Sequence, residues 1–558
     1  MPSLLQVWAL PAIAIANISA VWFKLVSERV PEPYLVTMPT NRILSKSNNN
    51  CVSRMSFSTF LKLRSTARMT IRGILRSQPR QGCTCIVPYL PKVQFANLKS
   101  YLASLIIKPI AGCDTSTLRA LNVGAICLIC ILSYQIRRTL RASQKPSSSN
   151  PDDKGQTSIS DAHTALNISL FSPLFFFSGL YYTDVISTLV VLAAYSTYLS
   201  QRRSATPFLS SILTINIGVL ALLFRQTNIF WVAIFPAGLS VIDTLKQHDE
   251  VFDTSVETAG PRHYFAFLLY LPRDVLLKRP VAIIKAVVPY VLLVGLFAAF
   301  VVWNGGVVLG DKSAHVATIH LPQMLYLWPY MVFFSVPLVL PSLLRPVVAI
   351  LPAGLRNFAE TYVTGKATRV GVPSLISAIL FNAFGLAAVH FNTIVHPYTL
   401  ADNRHYVFYV FRILLRYPWA KYAAVPVYYI CAWLAVQTLG SATPPSTRSV
   451  TKKQVRTAKE DGSTQISWVV VWTAATALSV ITAPLVEPRY FIIPWVMWRL
   501  HVPSLPTAGS KGGRQSYDLR LVLETVWLLA VNVGVGYMFL YRTFEWESEP
   551  GKVQRFLW

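Results

Sequence analysis

The sequence predicts an all-α polytopic membrane protein, and three observations carry that prediction. Of the 558 residues, 53% are apolar and only 13% are charged, against about 25% charged in soluble domains. Mean hydropathy is +0.45. Apolar runs long enough to cross a bilayer recur along the chain. A soluble core of this size would need a charged surface that the sequence lacks. With 12% aromatic residues, disorder is excluded as well. Seven scattered Cys, odd in number, make no disulfide framework.

A helical crossing needs about 20 mostly apolar residues. In order, the candidates are 4–23, 118–136, 165–182, 185–200, 207–224, 227–243, 281–303, 319–341, 372–392, 419–440, 467–484 and 519–541. A shorter piece at 489–500 reads as re-entrant or compressed, giving roughly 11 to 13 spans. No basic run precedes residues 4–23 and no small-residue cleavage site follows, so residues 1–35 hold a retained first helix.

Alternation from a cytosolic N-terminus puts 137–163, 201–206, 244–280, 345–371 and 442–466 on one face, with 21 Lys and Arg among them. The positive-inside rule assigns that face to the cytosol. Loops 137–163 and 442–466, rich in Ser, Pro and basic residues, read as cytosolic linkers. The net charge of +27 is then membrane-sided and implies no nucleic-acid partner.

The opposite face collects the polar clusters. They are Tyr181 to Asp184, Arg225 with Gln226 and Asn228, and Asn304 through Asp311, Lys312 and His315. Asp402-Asn403-Arg404-His405 and Glu487 with Arg489 complete the set. Any one of these charges alone reads as an interfacial anchor. Gathered on one side, they suit a site. Cations there fit a phosphate or pyrophosphate leaving group, and a carboxylate among them can deprotonate a sugar hydroxyl.

His315, His320, His396 and His405 lack HxxxH or HxxE spacing, so no metal is expected. Cys127 and Cys130 lie in an apolar helix and read as packing. No phosphate-binding glycine loop, dinucleotide fingerprint or nucleophile elbow is present. The sequons at Asn17 and Asn167 fall in or at the start of spans and are expected to stay unmodified.

Several blocks resemble one family closely: WNGGVVLGDKSAHVATIHLPQMLY (303–326), LADNRHYVFYVFR (400–412), EPRYFIIPWVMWRL (487–500), FRQTNIFWVA (224–233), FFFSGLYYTD (175–184) and VQRFLW (553–558). It is the dolichyl-phosphate-glucose α-1,2-glucosyltransferase family of the endoplasmic reticulum, and the resemblance runs in order through residues 100–558. It implies a GT-C type glycosyltransferase, multi-pass in the endoplasmic reticulum membrane, whose lumenal loops form the active site. The donor would be dolichyl phosphate glucose and the acceptor the diglucosylated dolichol-linked oligosaccharide, with no further cofactor. A β-linked donor giving an α product implies one in-line displacement with a single general base.

On that reading Arg225, Arg404 and Lys312 are the candidates for the donor phosphate, and Asp402 and Asp311 for the base. Asp184, Gln226, Asn228, His315, Asn403, His405, Glu487 and Arg489 are candidates for acceptor hydroxyls or for holding the cations. Pairing of Asp402 with Arg404, or of Asp311 with Lys312, is the structural alternative.

The family carries an acidic pair in its first lumenal loop, in a run like EPYxDE. Here Glu32-Pro33-Tyr34-Leu35 matches, and then Val36 and Thr37 stand where the acids belong. The segment 36–95 holds ten Lys and Arg and no Asp or Glu, against the sidedness of every other loop. One reading is a divergent basic loop whose acid is replaced by Asp311 or Asp402. The other is a retained intron or gene-model error ahead of the polytopic domain 96–558. A catalytically inactive relative and, from another class, a membrane transporter are the alternatives in function. Charges collected in loops and the lack of an internal repeat weigh against the transporter.

Overall fold

The computed structural model describes residues 4–30, 115–144, 159–201, 207–248, 251–307, 318–360, 373–395, 397–440, 464–483, 485–504, 517–547 and 549–558. The basic segment 36–95, most of both linkers, and Asp311, Lys312, His315 and His396 lie outside them.

In hydrocarbon each backbone must satisfy its own hydrogen bonds, so the apolar runs fold as helices. The first are α1 (Leu4–Arg29), α2 (Thr115–Gln144), α3 (Ile159–Leu170), α4 (Ser172–Ser178), α5 (Thr183–Gln201) and α6 (Pro207–Phe224). A 3-10 turn (Gln226–Asn228) and a π segment (Phe230–Ile234) lead into α7 (Phe235–His248). Then come α8 (Pro261–Leu277), α9 (Pro280–Asn304), α10 (Gln323–Phe334), α11 (Val336–Ile350), α12 (Ala353–Ala359) and α13 (Leu375–Asn392). The last helices are α14 (Pro397–Ala401), α15 (Tyr406–Leu414), α16 (Ala420–Gln437), α17 (Ile466–Ile481), α18 (Ile492–His501) and α19 (Leu519–Tyr541). Strands β1 (Phe544–Trp546) and β2 (Glu549–Gln554) close the order as an antiparallel hairpin.

Among the described residues six helices are long and apolar enough to cross a membrane, or up to eight if two bent pairs each count as one span. The bends are 117° between α4 and α5 and 93° between α10 and α11. Both follow from local sequence. Gly179 ends α4, and Pro337, near the start of α11, lacks the N–H that would continue α10 across Ser335. Helix α8 occupies part of the expected loop 244–280. It buries Phe267 and exposes Phe265, Leu268 and Leu269.

Two close approaches fix the end of the molecule where the polar residues gather. Trp22 of α1 lies over the turn after α4 and donates from Nε1 to the Phe176 carbonyl at 3.2 Å. A Cβ on Gly179 would stand 2.4 Å from that nitrogen, so only glycine lets the ring sit there. From α2, the buried Asn122 amide donates to the carbonyls of Leu180 (2.6 Å) and Tyr182 (2.8 Å). The FFFSGLYYTD block is thus clamped from both sides.

At the other end a buried ion pair crosses three helices. Arg499 of α18 grips Glu524 of α19 with Nε to Oε1 at 2.7 Å and Nη2 to Oε2 at 2.6 Å. Asn167 of α3 donates to the same carboxylate at 2.8 Å. Arg499 is 1% exposed and Glu524 is fully enclosed. The pairing satisfies both charges, which an apolar surround demands.

Candidate active site

The first cluster forms where α5, the 225–228 turn and the 487–491 turn meet. Arg225, extended at φ −152° and ψ 127°, turns its guanidinium onto the Asp184 carboxylate at the start of α5. Arg489 approaches the other oxygen of Asp184 at 4.0 Å and donates from Nε to Glu487 at 2.6 Å. Tyr490 lies under Arg225 at 5.6 Å and Tyr182 under Arg489 at 5.8 Å. The buried Asn228 amide donates to the Ala221 carbonyl at 2.9 Å and to Ser187 Oγ at 2.8 Å, fixing the turn that presents Arg225. Gln226 is half-buried beside it.

Exposure divides this cluster by sign. The Asp184 side chain is 1% exposed and that of Glu487 11%, while Arg225 and Arg489 are 20% and 24% exposed. The carboxylates are the deeper groups and the arginines the more exposed ones. Burial alone would lower the Arg489 pKa, but Glu487 and Asp184 outweigh it and raise it, so the guanidinium stays charged. Such a surface can accept an anion with bidentate geometry.

The second cluster joins the 402–405 turn to the hairpin. Arg404 binds both Asp402 oxygens, Nε to Oδ1 at 2.9 Å and Nη2 to Oδ2 at 2.7 Å. It also donates to Gln554 at 3.2 Å and lies over the Trp546 ring at 4.7 Å. His405 Nδ1 is 3.0 Å from the Trp558 main-chain oxygen, and Leu557 donates its N–H to the Arg404 carbonyl at 2.8 Å. Trp546 Nε1 donates to Asn403 Oδ1 at 2.8 Å. Burial alone would raise the Asp402 pKa; the Arg404 hydrogen bonds and charge overcome that and leave it below the usual carboxylate value.

Asp402, Asn403, Arg404 and His405 therefore form a group of their own, apart from Asp184, Arg225, Asn228, Glu487 and Arg489. The two are connected by rings packed edge to face: Trp558 on Phe334 (5.5 Å), Phe334 on Tyr330 (4.9 Å) and Tyr330 on Phe491 (5.2 Å). His320 is a structural acceptor for the Ile394 N–H at 3.4 Å, and burial pushes its imidazole down to about 4. No group of three or more His, Cys, Asp or Glu that could hold a metal occurs among the described residues.

Sequence reasoning did not single out Asn122, Trp22, Trp546, Gln554 or Trp558. The block VQRFLW flagged the last two as familiar without giving them a contact.

A family model described as the DIE2/ALG10 family matches residues 92–500, which include every charged residue of both clusters. The chain is 40% identical over 533 residues to the Dol-P-Glc:Glc(2)Man(9)GlcNAc(2)-PP-Dol alpha-1,2-glucosyltransferase of Emericella nidulans, covering 80% of this chain and 85% of that one. A protein of the same description from Aspergillus fumigatus is 38% identical over 536 residues, with 80% and 85% covered. One from Homo sapiens is 30% identical over 460 residues, with 80% and 81% covered. No solved structure matches. The match spans the helices that build both clusters, and the chain belongs to the DIE2/ALG10 family.

Proposed function

We propose that this chain transfers glucose from dolichyl phosphate glucose to the diglucosylated dolichol-linked oligosaccharide, forming its terminal α-1,2-linked glucose. The observation that carries the reading at the site is the outward pair Arg225 and Arg489, backed by the buried carboxylates Asp184 and Glu487. A departing dolichyl phosphate gains charge as the glycosidic bond breaks. Two preorganised guanidiniums offset that charge without reorganising. Lys312, outside the described residues, is assigned as a third cation for the phosphate.

The base must be a carboxylate with usable proton affinity. Asp402 has both oxygens held by Arg404 and a depressed pKa, so we assign Asp402 and Arg404 to framing the acceptor side and the base to Asp311. Asn403 and His405 stand with the frame and Gln226 and Asn228 with the phosphate side, and His315 is assigned to acceptor hydroxyls.

For the fold we propose a GT-C arrangement of thirteen crossings, within the expected 11 to 13. Counting α3 with α4, and α18, as crossings puts the end of α1, the 179–183 turn, Arg225, Asp402, Glu487 and the hairpin on one face. That face would be the endoplasmic reticulum lumen. Arg137 supports the opposite assignment for the basic loops, since it binds Asp161 and the carbonyls of Leu500 and Val502 at the far ends of their helices.

Expression of this chain in cells lacking the glucosyltransferase, with sizing of the lipid-linked oligosaccharide, tests the reading. Appearance of the triglucosylated species supports it. Persistence of the diglucosylated species, with the protein present in the membrane, overturns it for this chain. Replacing 36–95 with an acidic loop then shows whether Val36 and Thr37 are the cause.

A further inference from the structure

A pocket of about 380 Å³ opens between the 403–409 segment and the start of the hairpin, the size of a small-ligand site. Its lining combines Asn403, Tyr409, Arg542, Thr543, Phe544 and Phe556. Three features suit it to a pyranose. The rings of Phe544 and Phe556, 5.1 Å apart and tilted by 47°, form an apolar wall of the kind that C–H faces of sugars stack on. Trp546 holds the Asn403 amide by its oxygen, so Nδ2 is left as an oriented donor. Tyr409 donates to the Asn403 carbonyl at 3.0 Å and keeps its oxygen lone pairs as acceptors.

Arg542 and Thr543 are exposed at the rim, and no described residue accepts from the Arg542 guanidinium. One cation among an amide, hydroxyls and two rings fits a neutral polyol better than a phosphate. An anion site would concentrate cations, as the Arg225–Arg489 pair does. Through Asn403 the pocket meets the 402–405 frame, and its lining includes neither Arg225 nor Arg489.

We propose that this pocket is a second saccharide subsite, which takes a hexose of the branched acceptor away from the glucose that reacts. The identity of its sugar rests on the glucosyltransferase reading; its binding does not. A large glycan held at one point would pivot on its lipid. A second hold on a mannose arm restricts the orientations from which the terminal glucose can reach the donor.

The test is saturation-transfer NMR on the full chain in detergent with the free Man9GlcNAc2 glycan as probe. Wild type is expected to saturate mannose ring protons, and Arg542→Ala and Phe556→Ala to weaken binding by about tenfold each, the loss of one charged hydrogen bond or one stacked face. Thr543→Val, on the exposed rim, gives a smaller loss in a variant whose fold is easily kept. Unchanged affinity in Arg542→Ala and Thr543→Val, or no binding to wild type, overturns the proposal. Glucose transfer is measured in parallel. Glycan binding without transfer refutes the catalytic reading alone, and transfer without glycan binding refutes the subsite alone.

Discussion

Arg489 touches two buried carboxylates and a tyrosine ring, so its loss is felt twice. Arg489→Ala would strip the proposed phosphate side of a cation and leave Asp184 and Glu487 short of a partner. The expected outcome is a fall of about 100-fold or more in glucose transfer from microsomes at equal protein level. Arg489→Lys keeps charge but loses the fork, so an intermediate rate is expected; equal rates in both variants and wild type would remove Arg489 from the site. These residues were visible in the sequence because charges beside apolar runs are rare in a chain with only 13% charged residues. Their pairing was not. Arg404 and Arg225 look alike along the chain, yet one faces outward while the other is enclosed by Gln554 and Trp546, some 150 residues downstream. Only tertiary placement separates them.

The hairpin acts as a latch on the 402–405 turn, and its pH response follows from Asp402. A carboxylate whose folded pKa lies below its unfolded value, near 3.8, stabilises the fold fully above that value. The contribution is lost as pH falls through the folded pKa. Hydrogen exchange in β1 and β2, corrected for its intrinsic pH dependence, should therefore stay constant from about pH 8 to pH 5 and rise only in strong acid. In Asp402→Asn the raised exchange should already be present at neutral pH. A wild-type transition near neutrality would contradict this account. The helices themselves were legible from apolar run length, and α9, α13 and α19 lie within a few residues of their expected bounds. Helix α8 escaped because its exposed apolar stripe is interrupted by Arg262, Arg273 and Pro272. The strands are too short to show a period.

At the scale of the molecule, sidedness and stability are separable. Cysteines introduced at Ser148 and Ser449 should react with an impermeant thiol reagent from the cytosolic side of intact microsomes, and one at Glu547 only after the membrane is opened. The reverse pattern would invert the proposed topology. Stability rests in part on Glu524. Its replacement by Ala would leave Arg499 enclosed without its carboxylate, at a cost of about 3–5 kcal/mol, read as a lowered Tm in detergent. Glu524→Gln should lose less, because the amide still meets Arg499 and Asn167 through its oxygen. This three-helix junction was illegible in sequence. Asn167 looked like an idle sequon, and its partners lie more than 350 residues away.

Arg555 donates to the Arg29 carbonyl at 3.0 Å across 526 residues of chain, and to the Phe539 carbonyl at 2.9 Å. At about 5–20 residues per second, synthesis separates the two ends of that first bond by roughly half a minute to two minutes. Throughout that interval α1 stands inserted with its exit end unfinished, and the latch around Asp402 has no second half. The proposed site is thus completed only once Arg555 has been made, long after α1. A chain cut a few codons short of Arg555 would hold every described helix and lack the bonds that Arg555 makes to Arg29 and Phe539.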